Sequence, residues 1–118
     1  MNANGSDEFI DRITNYNKKI YEDELTSLKN RRYLNDRCDL LVDSTFKENT
    51  SLSAVMMDID DFKTINDMNG YLFTNAVIKK TAQTLISNFS VSRGDIIVRY
   101  GGDEFFIALK NISRPLLE

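Results

Sequence analysis

The fold is decided by the stretch Arg-Tyr-Gly-Gly-Asp-Glu-Phe-Phe, residues 99–106. An apolar run at residues 96–98 precedes this stretch, and a second apolar run, residues 105–109, begins at its end. Each run is typical of a short buried strand. A Gly-Gly pair between two such strands predicts a tight hairpin. Asp103 and Glu104 then follow the turn, where carboxylates are easily exposed and can hold a cation. The same residues would also suit an ordinary hairpin with a solvated acidic tip, because short motifs match by chance.

A second acidic cluster follows the apolar run at residues 52–57, which we predict to be a buried strand. The cluster contains Asp58, Asp60 and Asp61. In an extended backbone Asp58 and Asp60 point to one face, and their charges repel unless a cation or solvent offsets them. The alternative is a solvated strand end at which Asp60 or Asp61 caps the next helix.

The predicted elements form an α+β unit. Their expected order is two helices, a strand, two more helices and then the two hairpin strands. The latter part is most of a ferredoxin-like fold, with helices on the faces of an antiparallel sheet, and its last helix and strand are missing. The first and third strands of such a sheet are neighbours. Asp58 is therefore expected beside Asp103 and Glu104.

The first predicted helix carries a narrow apolar stripe on an otherwise polar surface. We expect disorder over residues 1–5 and a helix from Ser6 onwards. The stripe could pack against the chain's own domain, but its narrowness favours pairing with a second subunit. We therefore divide the chain into a signalling and dimerisation helix, residues 1–22, and a domain, residues 23–118. The stripe consists of Phe9, Ile13, Tyr16 and Ile20.

Two further helices are predicted from their end signals. Asn30 is a good N-cap for the second helix, and Cys38 on the apolar face of that helix is expected to be buried. Asn69-Gly70 predicts the end of a short helix that starts at Phe62. The backbone amides at that start, with Lys63 beside them, suit a phosphate group.

Composition excludes several classes of function. The 118 residues suffice for one domain, and the net charge of −3 argues against nucleic-acid binding or direct contact with an anionic membrane. No apolar run reaches the length of a transmembrane helix and no signal peptide opens the chain, so we expect a cytoplasmic location. The chain has no histidine and one cysteine, so a bound metal needs oxygen ligands, which favours Mg²⁺, Mn²⁺ or Ca²⁺.

Three blocks of this sequence resemble the GGDEF family of diguanylate cyclases, which condense two GTP into cyclic di-GMP. The blocks are residues 23–32, residues 58–70 and residues 99–105. Three matched blocks in the right order are far more specific than any one of them. The resemblance implies a palm-type nucleotide cyclase fold and a nucleotidyltransferase that uses Mg²⁺ or Mn²⁺.

The resemblance also implies a role for each matched residue. The metal ligands are Asp58, the Ile59 carbonyl, Asp103 and Glu104. Asp103 and Glu104 are also the catalytic residues, and Glu104 is tied to activation of the attacking 3′-hydroxyl. The substrate-binding residues are Phe62 and Lys63 at the phosphates, Asn66 and Asn75 at guanine, and Gly101 and Gly102 at the α-phosphate.

The implied partners are GTP and a second GGDEF subunit. Each domain holds one GTP, so two domains must face each other as a homodimer, and the N-terminal helix fits that need. An upstream sensor domain is also expected.

The sequence departs from the family pattern at three places. Thr74-Asn75 replaces a Gly-Asp pair whose Asp accepts hydrogen bonds from guanine N1–H and N2–H₂, and Tyr71 replaces a histidine. Asn75 offers one acceptor and one donor, and such a mismatch costs about 1–3 kcal/mol, so reduced GTP affinity or base selectivity is expected. The product-inhibition site needs Arg-x-x-Asp. Asp95 fits it, but Ser92 stands at the arginine position, so we predict that this site is absent.

Two other functions remain open from the sequence. A degenerate GGDEF domain would bind GTP or act as a regulatory module without activity. A related palm-type cyclase or polymerase would share the carboxylates but not the hairpin. Because the family's last helix and strand, with basic residues for the triphosphate, are missing, we expect this chain alone to be weak or inactive and to associate through the strand that ends at Asp58.

Overall fold

The computed structural model describes the backbone of residues 3–89 and 94–110, with side chains from residue 5 onwards. The predictions for Ser92 and for the C-terminal residues 111–118 lie outside this part. The described elements are α1 (Ala3–Tyr21), β1 (Lys29–Asn30), α2 (Arg31–Lys47), β2 (Leu52–Asp58), α3 (Phe62–Asn88), β3 (Ile96–Arg99) and β4 (Glu104–Lys110).

The four described strands form one sheet in the order β1-β3-β4-β2. Strand β4 pairs antiparallel with both β2 and β3, and β1 pairs parallel with β3. The α+β fold is therefore confirmed, although the short β1, which has no sequence signal, makes the sheet mixed rather than antiparallel. The first and third predicted strands correspond to β2 and β4. Their predicted pairing is also confirmed, and its register places Asp58 opposite Glu104.

The core lies between the sheet and α3. Side chains alternate between the faces of a strand, so every second residue of β4 points to the same side. Burial of each large aliphatic or aromatic side chain contributes about 1.5–3 kcal/mol. Three apolar residues of α3, spaced four and three positions apart, join those of the sheet. The cluster contains Leu28, Ile78, Ala82, Leu85, Ile97, Phe105, Ile107 and Leu109.

The second helix, α2, lies on the other face of the sheet. Ile96, which alternates with the core residue Ile97, lines an apolar groove together with Leu34 and Leu41 of α2. The predicted N-cap is confirmed, because the Asn30 Oδ1 accepts a hydrogen bond of 3.0 Å from the Tyr33 amide.

Residues 52–57 form a strand as predicted, but the prediction that this strand is buried is wrong. Val55, Met56 and Met57 are 42%, 51% and 39% exposed. Strand β2 pairs only with β4 among the described strands, and burial of a strand requires neighbours on its edges and a layer on its faces.

Two local predictions about helices are also wrong. Cys38 is exposed rather than buried, and within α2, which the structure describes in full, Thr45 is the only residue that is buried. The first helix begins at Ala3, inside the segment predicted to be disordered. The predicted break at Asn69-Gly70 is confirmed as a kink in α3, where Gly70 has φ 80° and ψ 169°.

Candidate functional site

The hairpin between β3 and β4 is longer than predicted. Residues 100–103 form its loop, and the Tyr100 amide donates to the Glu104 carbonyl at 2.8 Å. Neither Gly101 nor Gly102 has a positive φ, so no left-handed backbone requires the pair. A Cβ at Gly101 would lie 3.2 Å from Cδ of Glu104, so a larger residue there would require the flexible Glu104 side chain to shift. The Glu104 side chain therefore packs over Gly101.

The end of β2 meets the hairpin loop. The Ile59 amide donates to the Asp103 carbonyl oxygen at 3.0 Å, and Asp58 stands opposite Glu104 in the strand register. The predicted approach of Asp58 to Asp103 and Glu104 is thus confirmed at the level of the backbone.

An open cleft of about 480 Å³ lies at this junction, and we call it the acidic cleft. Its wall carries four carboxylates and one ammonium group, so its local charge favours a cation. Of the predicted site residues, the cleft brings together those at the end of β2 and the start of α3 with Asp103 of the loop, whereas Gly101 and Gly102 do not line it. The lining residues are Asp58, Ile59, Asp60, Asp61, Phe62, Lys63, Thr64 and Asp103.

The donors in the acidic cleft suit a hard cation. Asp58 and Asp103 supply carboxylate oxygens, and the Ile59 carbonyl is a third oxygen of the type that Mg²⁺ prefers. In the part of the chain that the structure describes, no three acidic side chains gather closely enough to hold a metal. Glu104 is not among the lining residues, so of the predicted metal ligands the cleft offers two carboxylates and a main-chain carbonyl.

The first turn of α3 opens into the acidic cleft. Asp61 is the N-cap residue, but its φ of 55° is left-handed and its side chain makes no capping hydrogen bond. The alternative in which Asp61 caps the helix through its carboxylate is therefore wrong. The first amides of a helix have no partner within the helix, so those near Phe62 and Lys63 remain available to an anion.

Asn66 and Asn75 do not line the acidic cleft. Both are half-buried in α3, on opposite sides of the kink at Gly70. The buried Thr74 hydroxyl lies 3.0 Å from Asn66 Oδ1 and 3.0 Å from the Gly70 carbonyl oxygen. From the sequence, Thr74 was recognised only as a residue that replaces the family's glycine. Its hydrogen-bonding contact with Asn66 was not predicted.

Sequence reasoning also missed an ion pair beside the hairpin. Arg99 Nη1 donates to Asp23 Oδ1 at 3.1 Å. Both residues belong to the matched sequence blocks, and this was the one feature of the sequence that could have indicated their pairing. Burial raises the pKa of Asp23, but hydrogen bonds from Thr26 and Arg99 outweigh it, so the pKa of Asp23 is lowered overall.

Known proteins share these features. A family model described as "Diguanylate cyclase, GGDEF domain" matches residues 20–117. The chain belongs to the GGDEF family. The membership agrees with the fold and with the positions of the glycine pair and the acidic residues in the hairpin.

Curated relatives of this GGDEF domain include two bacterial proteins. The chain is 40% identical over 91 residues to the response regulator PleD of Caulobacter vibrioides, covering 77% of this chain and 20% of PleD. It is 37% identical over 91 residues to the diguanylate cyclase DosC of Escherichia coli, covering 77% of this chain and 19% of DosC. The chain thus spans about a fifth of the length of these relatives.

A solved structure shares the fold. The GGDEF domain of DgcB from Caulobacter crescentus, in complex with c-di-GMP, superposes with a TM-score of 0.75 and 27% identity. The match covers 82% of this chain and 54% of that one.

Among the helices of the described residues, none has the length and apolar character that a membrane crossing needs.

Proposed function

We propose that this GGDEF domain condenses two GTP into cyclic di-GMP. Each 3′-oxygen attacks the α-phosphorus of the other GTP, so two phosphodiester bonds form and two pyrophosphates leave. The observation that carries the proposal is the meeting of Asp58 and Asp103 at one cleft, beside the uncapped start of α3.

The residues of the acidic cleft take distinct roles in this proposal. Asp58, Asp103 and the Ile59 carbonyl would hold Mg²⁺ or Mn²⁺, which supplies positive charge opposite the reacting phosphate when it is bound. Lys63 and the first amides of α3 would bind the phosphates of GTP. Glu104 would accept the proton of the attacking 3′-hydroxyl, which requires its side chain to leave Gly101.

The proposed reaction requires two domains. A second copy of this chain would present its own GTP, and the exposed stripe of α1 would pair the two copies. We also propose that a sensor domain acts on α1 and that the protein works in the cytoplasm, where GTP is available.

The test uses the full-length protein with GTP and Mg²⁺, and detects cyclic di-GMP by mass spectrometry. Loss of product with Asp103→Ala and with Glu104→Ala is expected, by a factor of about 10² or more. GTP binding by the wild type without product would contradict the proposal and would favour a regulatory module.

A further inference from the structure

Arg99 connects two segments that lie 76 residues apart in the sequence. Its Nη1 donates to both carboxylate oxygens of Asp23, at 3.1 and 3.2 Å, and its Nη2 donates to the Gly102 carbonyl oxygen at 2.9 Å. The two charged side chains are only 16% and 20% exposed, so solvent and salt screen this pair less than a surface pair.

Asp23 is itself held firmly in the connection between α1 and α2. The amide and the hydroxyl of Thr26 donate to its carboxylate at 2.9 and 2.8 Å. Its own amide donates to the Leu28 carbonyl oxygen at 2.8 Å. A planar guanidinium that is fixed at one end by this carboxylate restricts the group bound at its other end, which is Gly102.

Gly102 immediately precedes Asp103, one of the carboxylates of the acidic cleft. A second contact reaches the same loop, since the Arg31 guanidinium lies 4.4 Å from the centroid of the Tyr100 ring. The loop is thus attached to the chain segment that follows α1 on one side and to Ile59 on the other.

We propose that Asp23 and Arg99 are positioning residues, which hold the Gly102 carbonyl and thereby fix Asp103 against Asp58. Neither lines the acidic cleft, so neither is a catalytic residue. The consequence for turnover rests on the proposed function, whereas the consequence for the geometry of the loop does not.

The test compares Asp23→Asn and Arg99→Lys with the wild type in the full-length protein. We expect backbone hydrogen exchange in residues 100–105 to be about tenfold faster in both variants. We expect kcat for cyclic di-GMP to fall by about 10- to 100-fold, because displacement of a site by about 1 Å has that effect. The KM for GTP should change by less than about threefold, because the phosphate-binding start of α3 is untouched.

Glu48→Gln is the matched control. It removes an ion pair between Glu48 and Lys110, 2.7 Å long, at the far end of β4. We expect its exchange in residues 100–105 to equal that of the wild type. Arg99→Lys keeps the charge and covers the case in which Asp23→Asn does not fold.

The outcomes separate this proposal from the proposed function. Faster exchange confined to residues 100–105, in a protein whose wild type makes no cyclic di-GMP, supports the positioning role and contradicts the proposed cyclase activity. Unchanged exchange with normal turnover overturns the positioning role and leaves the cyclase intact. Exchange that rises equally along the whole chain indicates a general structural role and also overturns the proposal.

Discussion

Thr74 and Asn75 follow the kink at Gly70, and their side chains set the hydrogen-bonding polarity of this part of α3. The Thr74 hydroxyl has a single hydrogen to donate, and two acceptors, Asn66 Oδ1 and the Gly70 carbonyl oxygen, each lie 3.0 Å from it. Asn75 presents one donor and one acceptor, whereas guanine N1–H and N2–H₂ require acceptors only. We therefore expect Asn75 to weaken the recognition of guanine that the resemblance to the family implies.

The first prediction concerns Asn75→Asp. We expect the variant to bind GTP more tightly by about 1–3 kcal/mol, because a carboxylate accepts from both guanine donors. Calorimetric titration with GTP and with ATP measures the change, and ATP affinity should not rise in parallel. Asn88→Asp, the same charge change at the exposed end of α3, is the control. Equal effects of both variants on GTP binding would contradict the prediction.

The second prediction concerns Asp23 and acid. The pKa of Asp23 in the folded protein lies below its usual value of 3.8, so its carboxylate stabilises the fold above that pH. This contribution is lost as the pH falls through the folded-state pKa. We expect Asp23→Asn to lower the free energy of unfolding by about 1 kcal/mol at pH 7.

Urea denaturation between pH 7 and pH 3 tests the predicted direction of this pH dependence. The difference between the wild type and Asp23→Asn should stay constant down to about pH 5 and should narrow only below about 3.8. A difference that narrows near neutral pH would show that another group is responsible.

At the scale of elements, β2 is the least covered part of the sheet. In the described residues only β4 pairs with it, and its Met56 side chain is 51% exposed. An exposed, apolar strand edge is a template for pairing with another chain. We therefore expect the element that carries Asp58 to be prone to association as well.

The third prediction is that Met56→Lys reduces self-association of the chain beyond the dimer. A lysine on an edge strand costs little in the monomer and opposes strand-to-strand pairing. Multi-angle light scattering over a range of concentrations measures the effect. Met68→Lys on α3, where the native side chain is 78% exposed, is the control and should not change the mass. Equal loss of association in both variants would indicate a charge effect only.

At the scale of the whole molecule, α1 presents an exposed apolar stripe. Phe9, Ile13 and Tyr16 are 65%, 46% and 63% exposed. The helix is attached near its C-terminal end, where the Tyr21 hydroxyl donates to Asp36 at 2.8 Å and its ring meets Tyr33 edge-on. The overall extents of 57 × 39 × 23 Å describe an elongated molecule.

The fourth prediction is that Ile13→Glu weakens homodimer formation by at least about tenfold. Each copy would lose a buried isoleucine, which contributes about 1.5–3 kcal/mol, and would gain a charge at the interface. Sedimentation velocity measures the dissociation constant. Thr14→Glu introduces the same charge beside the stripe and should have a smaller effect. Identical constants for the two variants would rule out the stripe as the contact.

By itself, the sequence determined the features that depend on local backbone preference. The Asn30 cap, the kink at Gly70, the spacing of apolar residues in α3 and the two strands around the hairpin all follow from short-range sterics and hydrogen bonds. The approach of the two acidic clusters was also predictable, because the β-α-β-β order admits few sheet topologies.

Only the tertiary structure decided which surfaces meet. The exposure of Cys38, the packing of Glu104 over Gly101 and the bond between Thr74 and Asn66 depend on neighbours that no local pattern specifies. The pairing of Asp23 with Arg99 is of the same kind. The reason is physical, since burial and hydrogen-bond partners are settled by contacts between segments far apart in the chain, whereas propensity acts over a few residues.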